Sequence, residues 1–202
     1  PNHPYLVKKA VEPHGIRQLG ESLVIPVRDI EGGLLSLQFI DPDGEKRFLS
    51  GGQTNGGAYW FYWLCDDAGD GAFQGGSSPD LVIIAESHST GATIYEQTGK
   101  PVANAFNAGN LIAVAKAVRA KLPDTTIVIG ADHDQWGGSN TGLLKAQAAA
   151  NAVNGIVVAP NFDGMDISGK PTDWNDYRAL GGDVAARFIE AVSFSQNNLG
   201  AT

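Results

Sequence analysis

The sequence predicts an α/β protein, a parallel sheet flanked by helices and preceded by a smaller β-rich segment. Three observations predict it. From Leu81 onward, short apolar runs alternate with stretches of helical periodicity, the order that builds a parallel sheet. Before Asp80 the apolar runs are short and punctuated by turn residues. Between the two patterns lies DDAGDGAFQGGSSPD, residues 66–80, the best internal boundary. The expected division is a β-rich segment over 1–80 and an α/β domain over 81–202.

In the first segment, Leu23 to Val27, Leu35 to Ile40 and Arg47 to Leu49 read as strands. Asp41 to Gly44, DPDG, is a hairpin turn, with Pro presetting φ and Gly taking the left-handed position. A further apolar strand runs from Ala58 to Cys65, and its YWFYW run reads as core rather than as a base-stacking platform. In the second segment, LVIIA at 81–85 has no polar alternation, as expected of a strand buried on both faces. A helix follows, with Ser89 or Thr90 as its N-cap and Gly99 as its stop. After a strand at 102–105, Leu111, Val114, Ala115, Val118 and Leu122 mark one face of a helix that Pro123 ends. The pattern closes with strand 126–131, helix 141–152, strand 156–159 and an amphipathic helix through Val184, Phe188 and Val192.

Composition narrows the function. Of 202 residues, 43% are hydrophobic and 18% charged, below the usual quarter, which excludes a disordered or linker protein. Cys65 is the single cysteine, so no internal disulfide forms, and a reducing, cytoplasmic setting is expected. The longest uncharged stretch, 48–65, is broken by Ser, Gln, Asn and glycines, so neither a membrane span nor a membrane partner is expected. No secretory signal opens the chain, and a start at Pro1 predicts a segment of a longer polypeptide. The net charge of −8 argues against holding nucleic acid by bulk phosphate neutralisation. It leaves open contact with phosphates through a divalent metal held by clustered carboxylates.

The acids at strand ends are the candidates for chemistry, because ligands of open α/β sheets bind beyond the carboxyl ends of the strands. One strand runs into Glu86 and another into Asp132 and Asp134. A period of two points Asp132 and Asp134 the same way and His133 the other way, which makes His133 structural. If the two strands are neighbours, three carboxylates converge and repel unless a cation sits among them. Oxygen ligands without Cys or paired His favour magnesium or manganese. On spacing alone, capping and a solvated loop explain an Asp-x-Asp better than metal ligation does; the matching Glu86 brings the two readings level. Asp41 and Asp43 share the spacing but are explained by their turn, and Asp66, Asp67 and Asp70 lack the order of a calcium loop.

AESHSTGATI, AFNAGNL, IVIGADHD and PTDWNDYRAL together resemble the Toprim domain of primases carried by phages and plasmids. HPYLVKKAV and LQFIDPDGEKRFLSGG resemble the segment that precedes it there. The resemblance implies a Toprim-like sheet and a primase-like nucleotidyltransferase, making short RNA primers on single-stranded DNA from ribonucleoside triphosphates. It implies Glu86 as catalytic acid/base and Asp132 and Asp134 as magnesium ligands, with Asp173 and Asp176 either joining the metal site or capping a helix. Asn107 and Asn110 fall where a phosphate would be held or the acids oriented, unless they only cap. Lys9, Lys46 and Arg47 fall on basic positions suited to template or triphosphate, or form a solvated face. Zinc-binding and helicase domains, on the same or a partner chain, are implied only by the resemblance. Ser87 stands where the family has Gly; if that position needs φ > 0, Ser strains it. His88 follows as a phosphate contact or a polar loop residue. Strand cleavage by a Toprim nuclease or topoisomerase-like enzyme, with Tyr95 as the nearby hydroxyl, and a non-catalytic binding module are the alternatives.

Overall fold

The computed structural model describes residues 2–61, 78–136 and 140–199. The stretch carrying Cys65, Asp66, Asp67 and Asp70 lies outside them, as do Tyr62 and Trp63 of the aromatic run.

The chain opens with a helix, α1 (Pro4–Lys9), where sequence suggested only strands. His3 Nδ1 accepts the Tyr5 N–H at 3.2 Å, Pro4 starts the helix, and Ala10 ends it in the left-handed region. Six residues are too few to display a helical period, so the pattern hid it. Four antiparallel strands follow in chain order: β1 (Arg17–Leu19), β2 (Ser22–Arg28), β3 (Leu34–Ile40) and β4 (Lys46–Phe48). In β2, Leu23, Ile25 and Val27 alternate inward, the side required where a sheet has one dry face. The turn after β3 is the expected one: Asp41 accepts the Gly44 and Glu45 N–H groups at 2.9 and 2.8 Å, and Gly44 has φ +95°.

The second sheet has the order β5-β7-β6-β8-β9. Its strands are β5 (Tyr59–Phe61), β6 (Leu81–Ala85), β7 (Val102–Asn104), β8 (Thr126–Gly130) and β9 (Ile156–Val158). The last four are parallel, as the βα alternation requires. The sequence pattern sets this strand with the β-rich segment, but β5 pairs antiparallel with β7, Tyr59 opposite Asn104. Burial explains the placement: Tyr59, Trp60 and Phe61 are all covered, and only a sheet flanked on both faces covers every residue of a strand. The two sheets meet where Arg28 and Ala58 exchange backbone hydrogen bonds of 3.0 and 2.8 Å.

The helices are α2 (His88–Thr98), α3 (Leu111–Lys121), α4 (Thr141–Val153), α5 (Trp174–Ala179) and α6 (Val184–Leu199). Val82, Ile84, Ile127 and Ile129 pack against α3 and α4, while Ile83, Ala85 and Val128 pack toward α2 and α6. Fully burying each such Ile contributes roughly 1.5–3 kcal/mol relative to exposure. The second of these cores continues without a break into Tyr5, Leu23, Ile25 and Val27, so the two sheets share it. The N-cap of α2 is Ser87 rather than Ser89 or Thr90. The chain is still extended at Ser87, φ −133° and ψ 162°, and its hydroxyl accepts the Thr90 N–H at 3.3 Å. Gly99 ends α2 at φ +63°, as expected.

Candidate active site

β6 and β8 are hydrogen-bonded neighbours with Ala85 opposite Gly130, which sets Glu86 and Asp132 side by side beyond the strand ends. Asp132 Oδ1 accepts the buried Thr90 hydroxyl at 3.3 Å. Asn140 caps α4, and its Oδ1 accepts both the Leu143 N–H (3.4 Å) and the Asp134 N–H (3.1 Å), so the cap also fixes the acid's backbone. Gly142, in the first turn of α4, leaves the space in which the acids meet. A Cβ there would lie 3.1 Å from Asp134 Oδ2 and 3.6 Å from Glu86 Oε2. His133 turns away as the period of two predicts; its N–H donates to Thr172 O at 2.6 Å and its ring stacks on Phe162.

The charges act on one another. Burial, then the charge on Asp134, raise the Glu86 carboxyl, against a backbone hydrogen bond from Ala108 and the Lys46 charge. Burial raises Asp132 well above the usual carboxylate range, with Glu86 and Asp173 adding to it. Among the described residues, no three His, Cys, Asp or Glu side chains already enclose a metal. The side chains gathered there, Glu86, Asp132 and Asp134, nonetheless offer carboxylate oxygens, the donor type that a hard divalent cation takes.

Cations face the acids across a cleft of about 300 Å³ lined by Lys8, Lys9, Lys46, Glu86, Asp132 and Asp173. Lys9 Nζ lies 3.3 Å from Asp173 Oδ2. Burial works to lower the Lys9 pKa, but the Asp173 and Asp176 carboxylates outweigh it and hold it above the ordinary value. Asp173 caps α5, one of its two expected roles, and it also lines the cleft. Its Oδ1 accepts the Asp176 N–H at 2.7 Å, in a capping box with Asp176.

Several expectations are corrected here. Lys46 pairs with Ile40 and Arg47 with Phe39, on opposite faces of the strand. Lys46 therefore enters the cleft, while Arg47 lies over the Phe39 ring on the outer face. Asn110 is buried and fully used: its Oδ1 accepts the Gly56 N–H at 2.7 Å, and its Nδ2 donates to Gly57 O and Ala105 O, both at 2.9 Å. It is a tie between segments rather than a phosphate ligand. Asn107 Oδ1 accepts the Asn110 N–H at 3.1 Å and caps the short 3-10 turn. Ser87 carries no strain, because its extended φ suits any residue.

His88 is neither a phosphate contact nor a loop residue. It is fully buried at the start of α2 against Phe61 and Tyr59, and desolvation lowers its pKa to about 3. A lone His following a strand gives no sign of that. Tyr95 sits among His14 and Phe61 rather than at the acids. Asp43 belongs to the turn, yet it also lines the cleft, which its local sequence does not reveal. A wider hollow of about 680 Å³, between Ile156 and α6, contains none of these acids. Among the described residues, no helix is long and apolar enough to cross a membrane.

The sequence profile of the Toprim domain matches residues 81–183. Two proteins named DNA primase TraC, from Escherichia coli, are 37% and 36% identical to the chain over 166 residues. Each alignment covers 79% of this chain but only 15% and 11% of the relatives, so the chain spans a small fraction of their length. The primase fragment of the bacteriophage T7 primase-helicase protein superposes with a TM-score of 0.59 at 17% identity, over 93% of this chain and 70% of that one. A second T7 structure, with primase domains of two gp4 subunits interacting with the lagging-strand DNA polymerase, gives 0.54 at 17%, covering 93% and 84%. At that identity the likeness speaks for the fold.

Proposed function

The chain belongs to the Toprim domain family, and from that premise we propose that it is the catalytic core of a primase-type nucleotidyltransferase making short RNA primers on single-stranded DNA. One observation carries the reading: Glu86 and Asp132, at neighbouring strand ends and each raised by burial and adjacent carboxylates, face Lys9 and Lys46 across one cleft. Acids that repel one another opposite fixed cations suit a ligand with both a divalent metal and phosphates.

Asp132, Asp134 and Glu86 would hold magnesium, or manganese in its place, with Asp173 joining once Lys9 releases it. Bound there, the metal would supply neutralisation of the triphosphate and of the pyrophosphate that departs. Lys9 and Lys46 would grip phosphate oxygens as point charges. Glu86, its carboxyl raised, is suited to take the proton of the attacking 3′-hydroxyl as that oxygen bonds to the α-phosphorus. A bound cation would compensate the charge on Asp132 and so favour its ionised form. Template strand, ribonucleoside triphosphates and zinc-binding and helicase domains are the proposed partners, and replication in phage- or plasmid-carrying cells places the work in the cytoplasm.

The test incubates the full-length protein with single-stranded template, labelled ribonucleotides and magnesium. Oligoribonucleotides that vanish in Glu86→Gln support the proposal. Shortened DNA, or no product from a folded protein, overturns it.

A further inference from the structure

Lys9 is the last residue of a six-residue helix, too short to hold itself in place. Its position is imposed from α5. Arg178 Nη2 donates to the Lys9 carbonyl at 2.8 Å and to the Ala10 carbonyl at 2.7 Å, while its Nη1 lies 3.1 Å from Glu96 Oε2. Asn175 Nδ2 donates to the same Lys9 carbonyl at 2.6 Å and to Thr93 Oγ1 at 3.0 Å. A carbonyl left without an intrahelical donor at a helix end thus receives two donors from a helix far along the chain. The anchor is itself fixed, because Glu96 Oε1 also takes the Glu12 N–H and His14 Nε2, both at 2.8 Å. Asp173, which caps α5, meets the other end of Lys9 at its ammonium. One short helix therefore grips Lys9 by backbone and by side chain.

We propose that Arg178, assisted by Asn175, is a positioning residue for Lys9: it sets where the ammonium stands opposite Glu86 and Asp132, and so governs the grip on nucleotide phosphates. The proposal rests on the phosphate role given to Lys9 above. An arginine suits the place because its planar fork spreads donors over two nitrogens, so it spans two carbonyls and a carboxylate that a lysine would have to reach from a single nitrogen.

The test measures KM and kcat for ribonucleotides in primer synthesis by the full chain, with ATP binding titrated directly alongside. Lys9→Ala raises KM about tenfold, the loss expected for one charge-assisted phosphate contact. Arg178→Ala raises KM comparably with kcat little changed, and Arg178→Lys lies between it and the wild type. In the Lys9→Ala background, Arg178→Ala adds nothing further to KM, because its effect runs through Lys9. An Arg178→Ala effect that multiplies with that of Lys9→Ala overturns the inference, as does an unchanged KM in Arg178→Ala when Lys9→Ala raises it. If Arg178→Ala does not fold, Arg178→Lys and Asn175→Ser are read by the same criteria. A silent Lys9→Ala overturns the phosphate role itself and the inference with it, and that failure is identified by the Lys9 variant alone.

Discussion

Thr90 and Asp132, 42 residues apart, are joined by a hydrogen bond from the threonine hydroxyl to Oδ1 at 3.3 Å, which ties the helix behind the first acid to the loop of the second. The bond holds one carboxylate oxygen of a residue that also lines the cleft. It also allows charge to be removed from the site without removing the contact.

Asp132→Asn keeps that acceptor and deletes the charge. Without divalent metal, the melting temperature rises or stays level, because burial and the neighbouring acids already oppose the charge. With magnesium, the upward shift of the wild type disappears, since a ligand is gone. Asp163→Asn, at an exposed position, is the control and retains the shift. Asp43 cannot serve as a control, because it lines the cleft. Equal magnesium shifts in wild type and Asp132→Asn end the metal-site assignment.

Gly142→Ala separates the site from the fold. Alanine favours a helix over glycine by up to about 1 kcal/mol, so α4 gains. Its Cβ would stand 3.1 Å from both Asp132 O and Asp134 Oδ2, tight enough to push the carboxylate aside. The expected outcome is an unchanged or higher metal-free melting temperature with a reduced magnesium shift and roughly tenfold less primer synthesis. Full activity would show that the acids do not need the gap.

His88 makes stability depend on pH. Its folded pKa, about 3, lies below the ordinary 6.5, so the unfolded chain binds the proton first and stability falls as pH drops below 6.5. The slope is on the order of 1 kcal/mol per pH unit. His88→Phe keeps the ring packing on Phe61 and removes that slope, so it loses less stability than wild type between pH 7 and 5 in denaturant melts. Glu96, held below its usual value despite burial by His14, Glu12 and Arg178, also loses stabilisation in acid, but equally in both proteins. Parallel pH profiles for the two proteins contradict the assignment.

Lys46 and Arg47 test the geometry of neighbouring residues. Lys46→Ala raises KM for ribonucleotides severalfold, whereas Arg47→Ala, on the outer face, leaves KM within about twofold. Steady-state kinetics on the pair decide it, and equal losses would place both residues at the nucleotide.

What was legible in the sequence followed from periodicity. The unbroken LVIIA run and the 3- and 4-residue spacing from Leu111 to Leu122 report burial directly, and the structure has β6 and α3 there. Glu86 and Asp132 could be set on one edge because parallel strands end on the same edge, while their adjacency follows from the strand order, which the sequence does not fix. The misses share another cause. Helix α1 is too short for a period, Arg47 faces outward because of a register set by β3, and Asn110 is consumed by Gly56 and Gly57, more than 50 residues away. Replacement of a family Gly by Ser87 says nothing of strain by itself, because only φ decides it. Arg178 carried no motif at all, and its partners became visible only when α5 met α1.

The antiparallel β5 at the margin of the second sheet has a practical consequence for anyone dissecting this polypeptide. An expression fragment begun near residue 80 would lose the partner of β7 and bare a row of backbone donors and acceptors to neighbouring molecules. It would also strip the Asn110 amide of its Gly56 and Gly57 partners and open the shared apolar interior where Tyr5, Ile25 and Val27 had been. Such a fragment would precipitate rather than report weak activity. Grafting the acidic loops onto another scaffold meets the same obstacle, because the lysines opposite them arrive on the part left behind.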